Sequence, residues 1–431
     1  MTVRVLVVDH TGQEGGAELA LLRVVERIGG ADITVRALLL EDGPFHGRLT
    51  GAGIETAVLA ADARTNRASR DRVMAPAAAA RTAFTTLGFV PRLARAIRGA
   101  QCDLVVANSL KSAVLVALAA PLAGRRWVWH LHDRLAPDYL PNVLVRAMRM
   151  LALIGPRRIV VNSEATLLLL PERARRKAHL AYPGLSPEAF LDAAPSQTAA
   201  SVGEPVEPPP APAVGEPVEP LPAAVGEPVE PPLSAPTVTM IGRISPTKGQ
   251  REFLEAAAIL ARDRPDVRFR IVGAALFAEE DYAAQITRHA ESLDLGGRLE
   301  LTGWVSDPSA LLRSAAVLVH ASPVPEPFGQ VVAEAMAAGI PVVATDAGGV
   351  REMLDPDAAA EAGSEVQVTR LGILVPPADS AALAEGIARV LDDPDAAAQR
   401  TAVAREAASD RFRIESTVAA VRAAWFAAVR S

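Results

Sequence analysis

Short apolar runs alternate with stretches of helical periodicity along almost the whole chain, and this alternation limits the fold more than any other feature. Residues 3–8 are apolar apart from Arg4 and are closed by Asp9, the pattern of a strand buried on both faces. A Gly-rich turn at 11–16 and a helical stretch at 17–28 follow. Strand patterns recur at 34–40, 54–59, 104–107, 127–133 and 159–161, with helical patterns at 91–99 and 112–122. The same alternation resumes at 237 and continues to 345, and a helical tail with Val418, Val421, Trp425 and Val429 on one face ends the chain. Strands separated by helices predict parallel sheets with helices on both faces. At 431 residues the chain exceeds one typical core, so two domains are expected.

The boundary between them is marked by composition. Val-Gly-Glu-Pro-Val-Glu-Pro starts at Val202, Val214 and Val225, and twelve of the 34 prolines fall within 201–236. Such a tract lacks ladder donors and apolar bulk, so it is expected to be extended or disordered and to carry no chemistry. The domains expected are 1–190 and 237–410, with 195–236 as an insertion and 411–431 as a terminal helix.

Half of the residues are hydrophobic, yet no apolar run approaches the roughly 18 residues that span a bilayer. The opening Met1-Thr2-Val3-Arg4 leads into a strand, not a signal peptide. Cys102, the single cysteine, rules out an internal disulfide and fits a reducing, cytoplasmic setting. The net charge of −6 is unevenly spread: residues 1–200 carry 25 Lys+Arg against 17 Asp+Glu, and residues 237–431 carry 19 against 27. A basic first half with Arg92, Arg95 and Arg98 close together suits an anionic partner, such as the inner membrane surface. Nucleic acid is not expected, because aromatics are only 4% and none interleave with the arginines.

Chemistry concentrates at three places. Pro323, Pro325 and Pro327 bar a helix before Gly329, while residues 330–338 are good helix formers closed by Gly339 and Pro341. This puts Glu326 in a loop and Glu334 in a helix. The free amides near Phe328 and Gly329 then form an anion site flanked by the two acids. Gly242-Arg243 and Lys248-Gly249 follow a strand, and Lys248 is one of only three lysines. A guanidinium and an ammonium beside glycines suit a diphosphate. The strand at 127–133 carries His130, His132 and Asp133 at its carboxyl end, where open α/β sheets bind ligands. Two histidines alone make no convincing metal site. The pairs Asp355-Pro356-Asp357 and Asp393-Pro394-Asp395 are expected to be surface turns, so no metal is expected.

These residues resemble the retaining family 4 glycosyltransferases of GT-B fold. The likeness rests on Gly242-Arg243 with Lys248-Gly249 and on the Glu-x7-Glu of Glu326-Pro327-Phe328-Gly329 with Glu334-Ala335-Met336-Ala337-Ala338-Gly339. It is looser in the first half, through Gly15-Gly16-Ala17-Glu18, His132-Asp133 and Asn162-Ser163-Glu164. The resemblance implies two Rossmann-like domains with a cleft between them, a last helix crossing back to the first domain, and a metal-independent hexosyl transfer with retention. Its donor is a UDP- or GDP-linked sugar, and no cofactor is permanently bound. By the same resemblance, Arg243 and Lys248 neutralise the diphosphate, Glu334 binds the ribose, Glu326 contacts the sugar hydroxyls and Gly16 approaches the phosphate. His132 stands near the anomeric centre, with His130 as the fallback. The acceptor is a glycan, a lipid-linked sugar or a small molecule. A sugar-nucleotide epimerase and a silent nucleotide-sugar-binding subunit are the alternatives on this architecture.

Overall fold

A computed structural model describes residues 2–60, 76–190, 235–276, 279–293, 295–357 and 363–430, with side chains of the third helix from residue 88 onward. The Pro/Glu repeats lie outside the described residues. The chain divides into two compact units, Met1–Ser186 with Arg411–Ser431, and Pro187–Asp410.

The first unit is built on seven strands: β1 (Val3–Asp9), β2 (Ile33–Leu39), β3 (Glu55–Val58), β4 (Leu104–Ala107), β5 (Arg126–Leu131), β6 (Arg158–Val161) and β7 (Ala178–Leu180). They pair in the order β3-β2-β1-β4-β5-β6-β7, all in parallel. The connecting helices are α1 (Gly16–Ile28), α2 (Pro44–Gly51), α3 (Pro76–Gly99), α4 (Leu110–Leu122), α5 (Asn142–Ile154), α6 (Glu164–Leu168) and α7 (Glu172–Arg175). Successive strand residues point to opposite faces, so Leu6, Val8, Val105 and Trp129 pack with α3, α4 and α5. Val5, Val7, Val106 and Val128 pack with α1 on the other face. Ser109 starts α4 and Ser163 starts α6, each accepting a hydrogen bond from the backbone amide three residues on.

The second unit has β8 (Thr237–Ile241), β9 (Arg268–Val272), β10 (Leu299–Leu301), β11 (Val317–His320), β12 (Val342–Thr345), β13 (Gln367–Val368) and β14 (Ile373–Val375). Their order is β10-β9-β8-β11-β12-β14-β13. The sequence pattern predicts parallel strands, and all pairs are parallel except β13 with β14, which runs antiparallel. The physical reason is the short connection from Val368 to Ile373, far below the dozen residues a crossover needs. Its helices are α8 (Gln250–Asp263), α9 (Glu280–Ser292), α10 (Ser309–Arg313), α11 (Gln330–Ala338), α12 (Gly349–Leu354), α13 (Ser380–Asp392) and α14 (Pro394–Arg411).

The last helix, α15 (Ile414–Arg430), packs in the first unit. Its Val421, Ala424, Trp425 and Ala428 are buried against the α1 face of that sheet. In each sheet the parallel strands are wound outward in both directions from one point, between β1 and β4 and between β8 and β11. Loops leaving neighbouring strands diverge there, which opens a crevice at the carboxyl ends.

Candidate active site

Of the cations and acids that the sequence singled out, the second unit brings Lys248 and Glu326 into contact, at the β8–β11 crevice. Arg243 follows β8, and a turn closed by the Lys248 amide on the Ser245 carbonyl brings Lys248 around to the start of α8. Gly249 caps α8 with φ +86°, and a Cβ there would stand 1.9 Å from the Ala321 carbonyl oxygen. Only glycine permits both the left-handed backbone and this approach. The turn is thereby pressed against the loop after β11, which carries Glu326. Lys248 Nζ lies 2.6 Å from Glu326 Oε1, the Ser322 hydroxyl lies 2.7 Å from the same oxygen, and His320 Nε2 lies 3.5 Å from Oε2. Burial alone would raise the Glu326 carboxyl, but the Lys248 and His320 charges and hydrogen bonds outweigh it. They hold the group well below the ordinary carboxylate range.

The loop is pinned from its far side as well. Gly348, at φ +64°, lies so close that a Cβ would stand 2.1 Å from the Glu326 carbonyl oxygen, and the Gly349 amide donates to that oxygen at 2.9 Å. Phe328 is buried, and Gly329 begins α11 with no side-chain cap. Glu334, in the middle of α11, accepts from Gln330 Nε2 at 2.9 Å. The Arg243 guanidinium lies 3.2 Å from Glu279, and its carbonyl accepts from Gln250 Nε2. His320, Ser322 and Glu279 are partners that sequence reasoning missed. The signal available for His320 was its place at the end of an apolar strand just ahead of the proline-rich loop. Asp393, in one of the Asp-Pro-Asp pairs, accepts from the Ala396 amide at the start of α14. A groove of about 580 Å³, lined by Pro236, Pro341 and Arg405 among others, is not lined by any of these site residues.

In the first unit the β1–β4 crevice holds a chain of polar contacts. The buried Asp9 Oδ2 accepts from Asn108 Nδ2 at 2.7 Å, and Asn108 Oδ1 lies 3.0 Å from His132 Nε2. A carboxylate accepts only, so it sets the amide orientation of Asn108. The amide oxygen then requires the proton on His132 Nε2 and leaves Nδ1 as an acceptor. Burial lowers the His132 pKa, partly offset by Asp133 and Asp9. His130 has a different setting. It is buried, its Nε2 accepts from the Trp425 indole at 3.0 Å, and burial pushes its pKa down to about 3. The fallback histidine is therefore engaged in holding the last helix.

Gly16 opens α1, and Glu18 occupies its first turn. Burial, then the neighbouring charge of Asp9, raises the Glu18 carboxyl to about 8. Asp9, His10 and Glu18 come within 4.8 Å of one another, the set of potential metal donors found among the described residues.

Comparison with known proteins matches each of the two units to a glycosyltransferase model. Residues 227–408 match the glycosyl transferases group 1 model and residues 15–184 match the glycosyl transferase 4-like domain, so together the matches take in most of the chain. The chain belongs to the group 1 glycosyltransferases. Glycogen synthase of Mycobacterium tuberculosis is 31% identical over 193 residues, 44% of this chain and 42% of that protein. Phosphatidyl-myo-inositol mannosyltransferase of Mycolicibacterium smegmatis is 34% identical over 179 residues, 41% of each chain. The chain thus spans less than half the length of these curated relatives. Among solved structures, Anabaena HepE in complex with UDP and glucose has a TM-score of 0.73 at 25% identity, covering 97% of this chain and 98% of that one. Sucrose-phosphate synthase from Thermosynechococcus elongatus has a TM-score of 0.69 at 18% identity, covering 97% and 96%, and speaks for the fold. This group 1 glycosyltransferase therefore has the GT-B architecture of two Rossmann-like domains.

Proposed function

We propose that this chain moves a hexose from a UDP- or GDP-linked sugar to a glycan, lipid-linked or small-molecule acceptor, with retention of anomeric configuration and without a metal. The observation that carries the reading is the Lys248–Glu326 ion pair at the carboxyl end of β8 and β11, with Arg243 on the same turn. An ammonium has three donors. One on Glu326 fixes the group in place, and the others serve a diphosphate. As the glycosidic bond breaks, negative charge grows on the leaving phosphate, and cations already positioned there stabilise the transition state more than the ground state. The hydrogen bonds around Glu326 keep it an anionic acceptor for sugar hydroxyls. Glu334 reads the ribose, Gly16 approaches the phosphate, and His132 offers Nδ1 to a hydroxyl near the reacting centre. HepE, solved with UDP and glucose, supports a nucleotide-linked donor. Contact of the basic first unit with an anionic membrane surface on the cytoplasmic side belongs to the same reading.

The test is product analysis with a panel of nucleotide sugars and acceptors. Acceptor-dependent nucleotide release, a product with the donor's anomeric configuration, and rates unchanged by a chelator are expected. Lys248→Ala should remain folded and lose about 100-fold or more in kcat, the scale of losing one positioned charge-stabilising donor. An inverted product overturns retention. Activity abolished by chelation and restored by Mg²⁺ overturns metal independence. Conversion of the donor with no acceptor present overturns the transfer itself.

A further inference from the structure

We propose that the face of the first unit formed by α4 and α5, with the carboxyl-terminal half of α3, docks on an anionic lipid surface. This inference rests on the membrane contact just proposed and assigns it to particular helices. The solvent side of a surface helix is ordinarily polar, but α5 departs from that. Its Val145, Met148 and Ala152 are buried in the core, while Val143 is 78% exposed, Ile154 76%, and Met150 more than half. Positions 143, 150 and 154 share a face at helical spacing. Helix α4 adds Leu118 and Leu122, both exposed. The inward residues of α3, α4 and α5 belong to one core cluster, so the three helices cover the same side of the sheet. The Arg98 guanidinium donates to the Leu122 carbonyl at 2.6 Å, which sets the basic edge of α3 directly beside the exposed end of α4.

Charge selects the occupant. Arg92, Arg95 and Arg98 on α3 and Arg146 on α5 are exposed, and none of the three helices contains an aspartate or glutamate. Single exposed apolar residues are commonplace, but a set of them rimmed by cations is the pattern of a helix lying in a membrane interface. A second copy of the chain is disfavoured, since it would press two acid-free cationic faces together. Nucleic acid is disfavoured because exposed aliphatic side chains offer no platform for stacking. No helix among the described residues is long and apolar enough to cross a membrane, which fits a chain that rests on the surface with its aliphatic tips at headgroup depth.

The experiment is co-sedimentation of the full chain with vesicles of phosphatidylglycerol and phosphatidylcholine, and with phosphatidylcholine alone, at low and high salt. Binding is expected to the anionic vesicles and to weaken with salt, because juxtamembrane cations act within a Debye length. Two triple variants, V143S/M150S/I154S and R92E/R95E/R146E, should each lose about tenfold or more in partitioning with an unchanged thermal midpoint. Lys248→Ala should bind vesicles as the parent does, whatever becomes of its turnover. Absence of parent binding overturns both the face and the membrane contact of the proposed function. Parent binding that both triple variants retain overturns the face alone. A lipid-free dimer abolished by the same substitutions, or binding to neutral vesicles as strong as to anionic ones, overturns it too.

Discussion

Glu18 and Glu326 are two buried carboxyls pushed in opposite directions by their surroundings. Glu326 has an ammonium and an imidazole against it and stays ionised. Glu18 has a carboxylate, Asp9, for a neighbour and keeps its proton up to about pH 8. The consequence for Glu18 follows from linkage: between its unfolded value near 4.5 and about 8, the native state holds a proton that the unfolded chain releases. The stability it contributes is complete below the lower value and is lost as pH rises through the upper one, a range worth on the order of a few kcal/mol. Glu18→Gln has nothing to titrate, so its stability relative to the parent should climb from pH 5.5 to pH 8 in urea unfolding. Parallel pH profiles for the two proteins would show that the carboxyl is not held protonated. At this scale the sequence disclosed residue types and strand-end positions, but not partners. Lys248 and Glu326 are 78 positions apart and Asn108 is 99 from Asp9. Nothing local distinguishes His130 from His132; a tryptophan 295 positions away does.

At the scale of elements, the tail helix shows how far periodicity reaches. The spacing of Val418, Val421, Trp425 and Val429 identifies an apolar face, and α15 buries part of it against β5 and β6 of the first unit. Trp425 is fully buried and donates to His130. Trp425→Ala should therefore cost about 3–5 kcal/mol, the range for deleting a large buried aromatic. Trp425→Phe keeps most of the apolar area but removes the donor to a buried imidazole, and should cost about 1–3 kcal/mol. Denaturant midpoints measure both, and a Phe variant as stable as the parent would show that the indole hydrogen bond adds nothing. The antiparallel β13 escaped the alternation pattern because two residues are too few for any period to register.

At the scale of the whole molecule, each unit is a parallel-dominated sheet wound outward from one switch point, and the Asp9–Asn108–His132 and Lys248–Glu326 contacts lie at those two points. A nucleotide that binds the native state alone raises stability by mass action, about 2.7 kcal/mol at 100 times its dissociation constant. The nucleotide of the true donor should therefore raise the melting temperature of the parent, and raise that of Lys248→Ala much less. An equal rise in both would place the diphosphate away from Lys248. By itself the sequence determined the alternation of strands and helices, the division into two sheets and the residue types at the strand ends. These follow from backbone repeats of two and 3.6 residues and from glycine and proline, all of which act within a few positions. Only the tertiary structure decided that Lys248 closes on Glu326, that Asn108 links Asp9 to His132, and that His130 accepts from the indole of the last helix. Those contacts arise when crossover connections bring distant strand ends together, and no local pattern records which side chains will meet there.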